Sequence, residues 1–175
     1  ETLDEAWRSA RVDELTGTAN RFAFDEFMRQ EQPIGPSAKA ECYLVLLTIE
    51  GLSVVNKRLG LGEGDKLICF VASQLEKRVA SRSQQHIYRV GVNDFVLFIN
   101  KEDIAELEQA TAKIELHFKA EGFNDASLHV GRCLNTEVLH NHEWLRNADQ
   151  NLYNNKSIKR RQLYAQRLSS LDMEL

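Results

Sequence analysis

Residues 86–99 read HIYRVGVNDFVLFI, two apolar runs divided by a short break. Residues 86–90 and 95–99 are rich in β-branched and aromatic side chains, which favour strands. Only residues 91–94 stand between them, and a gap of this length containing Gly and Asn-Asp is typical of a tight turn. The stretch therefore predicts a β-hairpin whose turn projects its side chains outward.

Two more strands are predicted on either side of this hairpin. Residues 43–49 form a short, continuously apolar run with β-branched members. This composition is typical of a strand buried on both faces, so we expect residues 43–49 to form the central strand. Residues 127–133 form the other strand.

Amphipathic helices separate the strands. Apolar side chains at helical spacing predict a helix that starts at the N-cap Asn20 and stops near residues 33–36, and further helices over residues 54–59, 67–79, 104–118 and 145–156. The resulting order is βααββαβ followed by αβ. It predicts an α/β sandwich in which helices flank a central mixed, mainly antiparallel sheet.

The composition limits the class of protein. The 175 residues are 43% hydrophobic and 27% charged, which fits one compact domain with its own core. A net charge of −4 makes nucleic acid an unexpected partner, even though residues 156–161 are basic. The longest apolar run, residues 42–49, is far shorter than the roughly 20 residues that span a bilayer. Three scattered cysteines without a CxxC pair predict neither a disulfide framework nor a zinc site, and they suit a reducing cytoplasm.

Four segments carry motifs that span nearly the whole chain. They are D-E-L-T-G followed by N-R in residues 13–21, T-I-E-G-L-S-V-V-N followed by G and G-D in residues 48–65, R-V-G-V-N-D-F in residues 89–95, and A-D, L-Y, K and R in residues 148–160. In this order and at this spacing they resemble the motifs of the GGDEF domain family, the bacterial diguanylate cyclases. The resemblance implies a nucleotidyl-cyclase-like sandwich, whose active members join two GTP molecules into cyclic di-GMP across a dimer.

The same resemblance implies a domain organisation. We expect residues 1–12 to be an incoming signalling helix or linker, residues 13–168 the GGDEF domain, and residues 169–175 a tail or the start of a linker. The chain opens at Glu1 rather than at methionine, which indicates a piece of a longer protein. The family implies an adjacent sensor or EAL phosphodiesterase domain in the same chain, a homodimer as one arrangement, and a cytoplasmic location, including the cytoplasmic part of a membrane-anchored sensor.

The signature acids of the family differ in this chain. Its two metal-binding carboxylates fall on Thr48 and Asn93, and its second signature glycine falls on Val92. Neutral oxygens hold a hard cation much less strongly than carboxylates do. We therefore expect no catalytic residues, no metal site and no required cofactor, with Mg²⁺ entering only weakly alongside GTP. The β-branched Val92 is also expected to obstruct the close approach of the backbone to phosphate.

The positions that the family uses to bind the nucleotide are retained. Asn56 and Asp65 match those that hydrogen-bond the guanine edge, for which an amide and a carboxylate are suited. Lys156 and Arg160 match the phosphate-contacting basic pair, and their spacing of four places both on one helical face if the last helix extends that far. The opposing interpretation is that Asp65 is an ordinary first-turn helix acid and that the basic residues form a solvated face.

Many family members also bind cyclic di-GMP at an inhibitory R-x-x-D motif upstream of the signature. The aligned stretch keeps Arg82, but Gln85 replaces the carboxylate. We therefore do not expect cyclic di-GMP to bind at this remnant of the inhibitory site.

Three functions follow from these residues. The leading hypothesis is a catalytically inactive GGDEF domain that acts as a regulatory or relay module in cyclic di-GMP signalling through GTP binding. The enzymatic alternative is a residual diguanylate cyclase that uses Asp94 and Glu50 as substitute carboxylates. The third hypothesis is a protein-interaction or dimerisation module that binds no nucleotide.

Overall fold

The computed structural model describes residues 2–80 and 87–174. Its helices and strands follow in the order α1 (Leu3–Ser9), α2 (Arg21–Arg29), β1 (Cys42–Glu50), α3 (Leu52–Leu59), α4 (Glu63–Leu75), β2 (Ile87–Arg89), β3 (Asp94–Asn100), α5 (Ile104–Ala120), β4 (Ser127–Leu134) and α6 (Asn141–Met173). A π-helical turn, Glu76–Ala80, extends α4. This order confirms the predicted α/β class.

The four strands form one antiparallel sheet in the order β2-β3-β1-β4. Leu46 of β1 lies opposite Val96 of β3 and Gly131 of β4, so β1 is an inner strand as predicted. The predicted hairpin is formed by β2 and β3, although residue 86 lies outside the described residues. Among the residues described, parallel pairing is confined to one isolated bridge between Ala19 and Tyr88.

Helices cover both faces of the sheet because the inner strands are apolar on both sides. On one face, Val45 and Leu47 pack with side chains of α4 and α5 such as Val71 and Phe118. On the other face, side chains of β1 and β3 pack with Phe24 of α2 and with Trp144 and Ala148 of α6. The Asn20 side chain accepts a hydrogen bond from the Ala23 N–H at 2.9 Å, which confirms the predicted cap of α2.

Two glycines fix how the helices join the sheet. Gly51 links β1 to α3 at φ 92°, and a Cβ there would lie 1.9 Å from the Asp125 carbonyl oxygen. Only glycine fits this conformation and this contact. Gly131 of β4 lies against α6, where a Cβ would be 2.2 Å from the backbone of Ala148 and Leu152. The missing side chain therefore lets α6 lie directly on β4.

The last helix differs from its prediction. We expected it to reach about Lys156 and to be followed by a strand, whereas α6 continues to Met173 and no strand follows it among the described residues. Residues 157–173 contain good helix formers and only one β-branched residue, Ile158. The helix is continuous across the predicted boundary at residue 168, so the division into domains stays a prediction.

Helix α1 lies at the start of the chain, where a lead-in helix was predicted. A capping box joins Thr2 and Glu5 at its beginning, and none of its residues is buried. In the part of the chain that the structure describes, no helix combines the length and apolar character needed to cross a membrane.

Candidate functional site

The end of β1 meets the hairpin turn. Thr48 pairs with Asp94 of β3, and the Ile49 N–H donates a hydrogen bond to the Asn93 carbonyl oxygen at 2.9 Å. On its other side, Thr48 pairs with His129 of β4. The structure thus brings Thr48 together with Asn93 and Asp94, which follow it by 45 and 46 positions in the sequence.

A cavity of about 570 Å³ opens beside this strand end. Thr48, Asp94 and Lys156 line it together with Arg21, Arg146 and Asp149. Within residues 2–80 and 87–174, no group of three His, Cys, Asp or Glu side chains is arranged to hold a metal ion. The Thr48 hydroxyl and the Asn93 amide are neutral donors, which fit Mg²⁺ poorly because this ion prefers carboxylates and water.

The hairpin turn is fixed from behind by Arg89. Its guanidinium donates to the Val92 carbonyl oxygen at 2.8 Å and pairs with the Asp13 carboxylate at 3.1 Å. Burial opposes ionisation of Asp13, but hydrogen bonds from Thr16 and Arg89 outweigh it and hold the pKa of this carboxyl below its ordinary value. The side chain of Val92 is 74% exposed at the tip of the turn. Its effect on phosphate approach stays a prediction.

The two residues predicted to contact guanine lie at the corner between α3 and α4. The Asn56 side-chain oxygen accepts a hydrogen bond from the Gly64 N–H at 2.7 Å, which holds the side chain against the first turn of α4. Asp65, the next residue, is exposed in that turn. The structure therefore brings Asn56 and Asp65 together. An amide NH₂ donor and a carboxylate acceptor at one corner can complement the carbonyl and N–H groups of a purine edge.

Lys156 and Arg160 both lie on α6, because this helix extends beyond its predicted end. Their side chains converge on Glu50 at the end of β1. The Arg160 guanidinium lies 2.6 Å from Glu50 Oε1, and the Lys156 ammonium lies 3.4 Å from Oε2. His129 of β4 reaches the same Oε2 through Nε2 at 2.7 Å. We call Glu50, His129, Lys156 and Arg160 the Glu50 cluster.

The contacts within the Glu50 cluster shift the pKa values of Glu50 and His129. Burial opposes ionisation of Glu50, but the hydrogen bond from Arg160 and the charges of Lys156, Arg160 and His129 outweigh it and lower the pKa of Glu50. Burial and the charge of Lys159 lower the pKa of His129, against the opposing effect of Glu50. Glu50 is thus anionic and His129 neutral near pH 7. His129 Nδ1 is buried without a hydrogen-bond partner among the described residues.

Lys159 has a different role from its neighbours on α6. The Lys159 ammonium contacts the Glu115 carboxylate at 2.6 Å and the Leu128 carbonyl oxygen at 2.8 Å. These contacts tie α6 to α5 and β4. They also keep Lys159 outside the Glu50 cluster.

Sequence reasoning considered Glu50 only as a substitute metal ligand, and it missed the contact between Glu50 and α6. A signal was present, because an acid at the end of a central strand and two basic residues at helical spacing are complementary. Nothing in the sequence showed which helix faces that strand end. Arg82 and Gln85, the remnant of the inhibitory motif, lie outside the described residues.

Comparisons with known proteins identify the family and the fold of the chain. The sequence model of the family described as "Diguanylate cyclase, GGDEF domain" matches residues 10–162. Diguanylate cyclase DgcP of Pseudomonas aeruginosa is 29% identical over 126 residues, which are 68% of this chain and 18% of DgcP. The chain therefore spans about a fifth of the length of this relative.

Two solved structures have the same fold. The coiled coil and GGDEF domain of DgcB from Caulobacter crescentus, solved with c-di-GMP, matches with a TM-score of 0.70 at 20% identity, over 89% of this chain and 85% of that one. The GGDEF domain of FimX from Pseudomonas aeruginosa matches with a TM-score of 0.67 at 18% identity, over 83% and 93% of the two chains.

Proposed function

The chain belongs to the diguanylate cyclase GGDEF domain family, and from this membership we propose that it is a catalytically inactive member that regulates c-di-GMP signalling by binding a guanine nucleotide. The observation that carries the proposal is the contrast between two parts of one site. Thr48 and Asn93 meet at the strand end without a carboxylate of their own, whereas the two residue pairs suited to base and phosphate are both assembled.

The inactivity follows from the chemistry of the strand end. Transfer of a nucleotidyl group needs the charge on the phosphates to be neutralised, and divalent metal supplies this in phosphoryl-transfer enzymes generally. Thr48 and Asn93 provide no negative charge for such an ion. Glu50, which could replace a lost acid, is engaged by two cations and a histidine, and Asp94 alone is a weak site for Mg²⁺.

The binding function follows from what remains. Asn56 and Asp65 offer a donor and an acceptor at one corner, and Lys156 and Arg160 offer two positive charges at the end of β1. The Lys156 side chain also lines the cavity beside Thr48. A ligand with a purine base at one end and phosphates at the other matches this division, and GTP is the nucleotide that the family uses.

Isothermal titration with GTP, with and without Mg²⁺, tests the binding proposal. We expect a dissociation constant in the micromolar range that changes little when Mg²⁺ is removed, and we expect no binding of c-di-GMP. Asp65→Ala should abolish GTP binding, whereas the control Asp172→Ala, on the exposed end of α6, should not. Absence of GTP binding by the wild-type domain would contradict the proposal and favour a module that only contacts proteins.

Catalysis is tested separately. Purified domain, dimerised through a fused coiled coil, is incubated with GTP and Mg²⁺ or Mn²⁺, and the products are separated by chromatography. We expect no cyclic dinucleotide. Product formation that is lost in Asp94→Asn would instead support the residual cyclase.

The regulatory part of the proposal concerns the longer protein. The chain spans only part of its curated relative, so a neighbouring sensor or EAL domain in the same polypeptide is the natural recipient of a signal from this domain, in the cytoplasm. Mutation of Asp65 in the full-length protein should change the activity of that neighbour in response to GTP. An unchanged response would contradict the relay.

A further inference from the structure

We infer that Glu50 is an internal competitor for the anion-binding pair Lys156 and Arg160, so that only a polyphosphate binds there by displacing it. This inference rests on the proposed nucleotide site and names the ligand class that its phosphate end selects. The contacts of the Glu50 cluster are direct, at 2.6 Å from Arg160 and 3.4 Å from Lys156.

The cluster is open to a ligand from solvent. The Arg160 side chain is 62% exposed and that of Glu50 is 35% exposed, whereas the His129 side chain beneath them is 4% exposed. Arg160 can therefore exchange Glu50 for another anion without unpacking the core. Lys156 lines the same cavity as Thr48 and Asp94, so an anion bound by Lys156 lies beside the cavity at the end of the signature turn.

The charge balance explains the selectivity. Two cations face one carboxylate, and His129 is neutral near pH 7, so the cluster keeps only one net positive charge. Inorganic phosphate or a nucleoside monophosphate gains little from displacing a carboxylate that is already well placed. A triphosphate chain carries several negative charges and can contact both cations at once, which makes the exchange favourable.

The chain contains a matched pair for comparison. Glu115 contacts Lys159, the residue before Arg160 on α6, at 2.6 Å. The side chains of Glu115 and Lys159 are exposed to nearly the same extent as that of Glu50. Lys159 is also held by the Leu128 carbonyl oxygen and belongs to the contact between α6 and β4. Removal of the Glu115 charge therefore leaves the direct contacts of the Glu50 cluster in place.

The test uses inorganic tripolyphosphate, which contains no base, in isothermal titration of the wild-type domain, Glu50→Gln and Glu115→Gln. We expect Glu50→Gln to bind at least about tenfold more tightly than the wild type, because one negative charge is removed within a few ångströms of the anion. Glu115→Gln should bind like the wild type. Addition of Arg160→Ala to Glu50→Gln should remove the gain, and inorganic monophosphate should bind to the wild type only in the millimolar range or not at all.

Equal or weaker tripolyphosphate binding by Glu50→Gln, or no binding by any variant, would overturn the inference. Thermal melts verify folding, and if Glu50→Gln does not fold, Glu50→Asp replaces it. Its shorter side chain should loosen the contact with Arg160 and give a smaller gain, and the absence of any gain counts against the inference.

The proposed guanine-nucleotide binding and the role of Glu50 as an internal competitor can be tested independently of each other. If GTP binds no more tightly than tripolyphosphate and Asp65→Ala has no effect, guanine recognition fails while a gain in Glu50→Gln still supports the internal competitor. If GTP binding depends on Asp65 but Glu50→Gln brings no gain, the nucleotide site stands and the competitor does not.

Discussion

At the scale of single residues, the contact between Glu50 and His129 affects the pKa of both side chains. Both side chains lie on neighbouring strands, and their contact at 2.7 Å joins a carboxylate to a buried ring. Glu50 raises the pKa of His129, while burial and the charges of Lys159 and Lys156 lower it by a greater amount. The size of this lowering therefore depends on whether Glu50 keeps its charge, whereas its direction does not.

Glu50→Gln should lower the pKa of His129 further, because the variant removes the charge that opposes burial and the lysines. The pH titration of the His129 ring resonances by NMR measures this shift. Asp172→Asn, which removes a remote charge on α6, serves as the control and should leave the pKa of His129 at its wild-type value. An unchanged His129 pKa in Glu50→Gln would show that Glu50 does not face the ring.

Only part of this residue-level arrangement could be predicted from the sequence. The meeting of Thr48 with Asn93 follows from motif positions, because paired strand ends bring them together. The contact between Glu50 and Arg160 joins residues 110 positions apart and depends on how α6 crosses the end of β1. Periodicity gives the face of a helix but not the strand end that it meets.

At the scale of secondary structure elements, the sheet follows from local patterns more closely than the last helix does. Strand β1 and the hairpin are apolar runs bounded by turn residues, so their positions could be predicted to within one or two residues. The last helix loses its apolar stripe beyond Leu152, where polar and charged side chains make its remaining contacts with the sheet, and a pattern based on burial stops there too. The helix continues because its residues favour helix without packing.

One of the hydrogen bonds that join α6 to β4 lies inside the core. The buried Trp144 ring donates through Nε1 to the Cys133 carbonyl oxygen at 2.7 Å, and it packs against Phe98. Trp144→Phe keeps an aromatic ring but leaves that carbonyl without its side-chain donor and leaves a small cavity. We expect it to lower the free energy of unfolding by about 1–3 kcal/mol.

Urea unfolding followed by circular dichroism measures this loss. Trp7→Phe is the matched control, because Trp7 lies on α1 and is exposed. Among the aromatic and cation–π contacts of the described residues, the Trp7 ring takes part only in the one with the Arg11 guanidinium. It should change the free energy of unfolding by no more than about 0.5 kcal/mol. Equal losses in the two variants would mean that the Trp144 hydrogen bond does not hold α6 in place.

At the scale of the whole molecule, ionic contacts join segments that are distant in the sequence, and two of them involve a carboxyl whose pKa is lowered. Asp13 and Arg89 tie the segment after α1 to the hairpin, and the Glu50 cluster ties β1 and β4 to α6. The pKa values of both carboxyls are lowered in the folded protein. The two contacts therefore make the stability of the entire domain depend on pH, although each lies at one point of the surface.

The free energy of unfolding should fall as the pH is lowered from 7.5 to 4. A carboxyl whose pKa is lowered by folding contributes stability above its unfolded value, which is 4.5 for Glu50 and 3.8 for Asp13, and this contribution is lost as the pH falls through the folded pKa. His129 acts in the same direction. Its pKa is lowered from 6.5, so the unfolded chain takes up a proton more readily below that pH and gains stability relative to the folded state.

Urea unfolding at half-unit pH steps measures the profile. We expect a first decline just below pH 6.5, caused by His129, and a second below about pH 4.5, caused by Glu50 and then Asp13. Replacement of His129 by Gln, which cannot titrate, should flatten the first decline and leave the second, whereas Asp172→Asn should reproduce the wild-type profile. A free energy of unfolding that stays constant or rises between pH 7.5 and 5 would show that the buried ring is not held neutral, and the charge balance of the Glu50 cluster would then need to include a third cation.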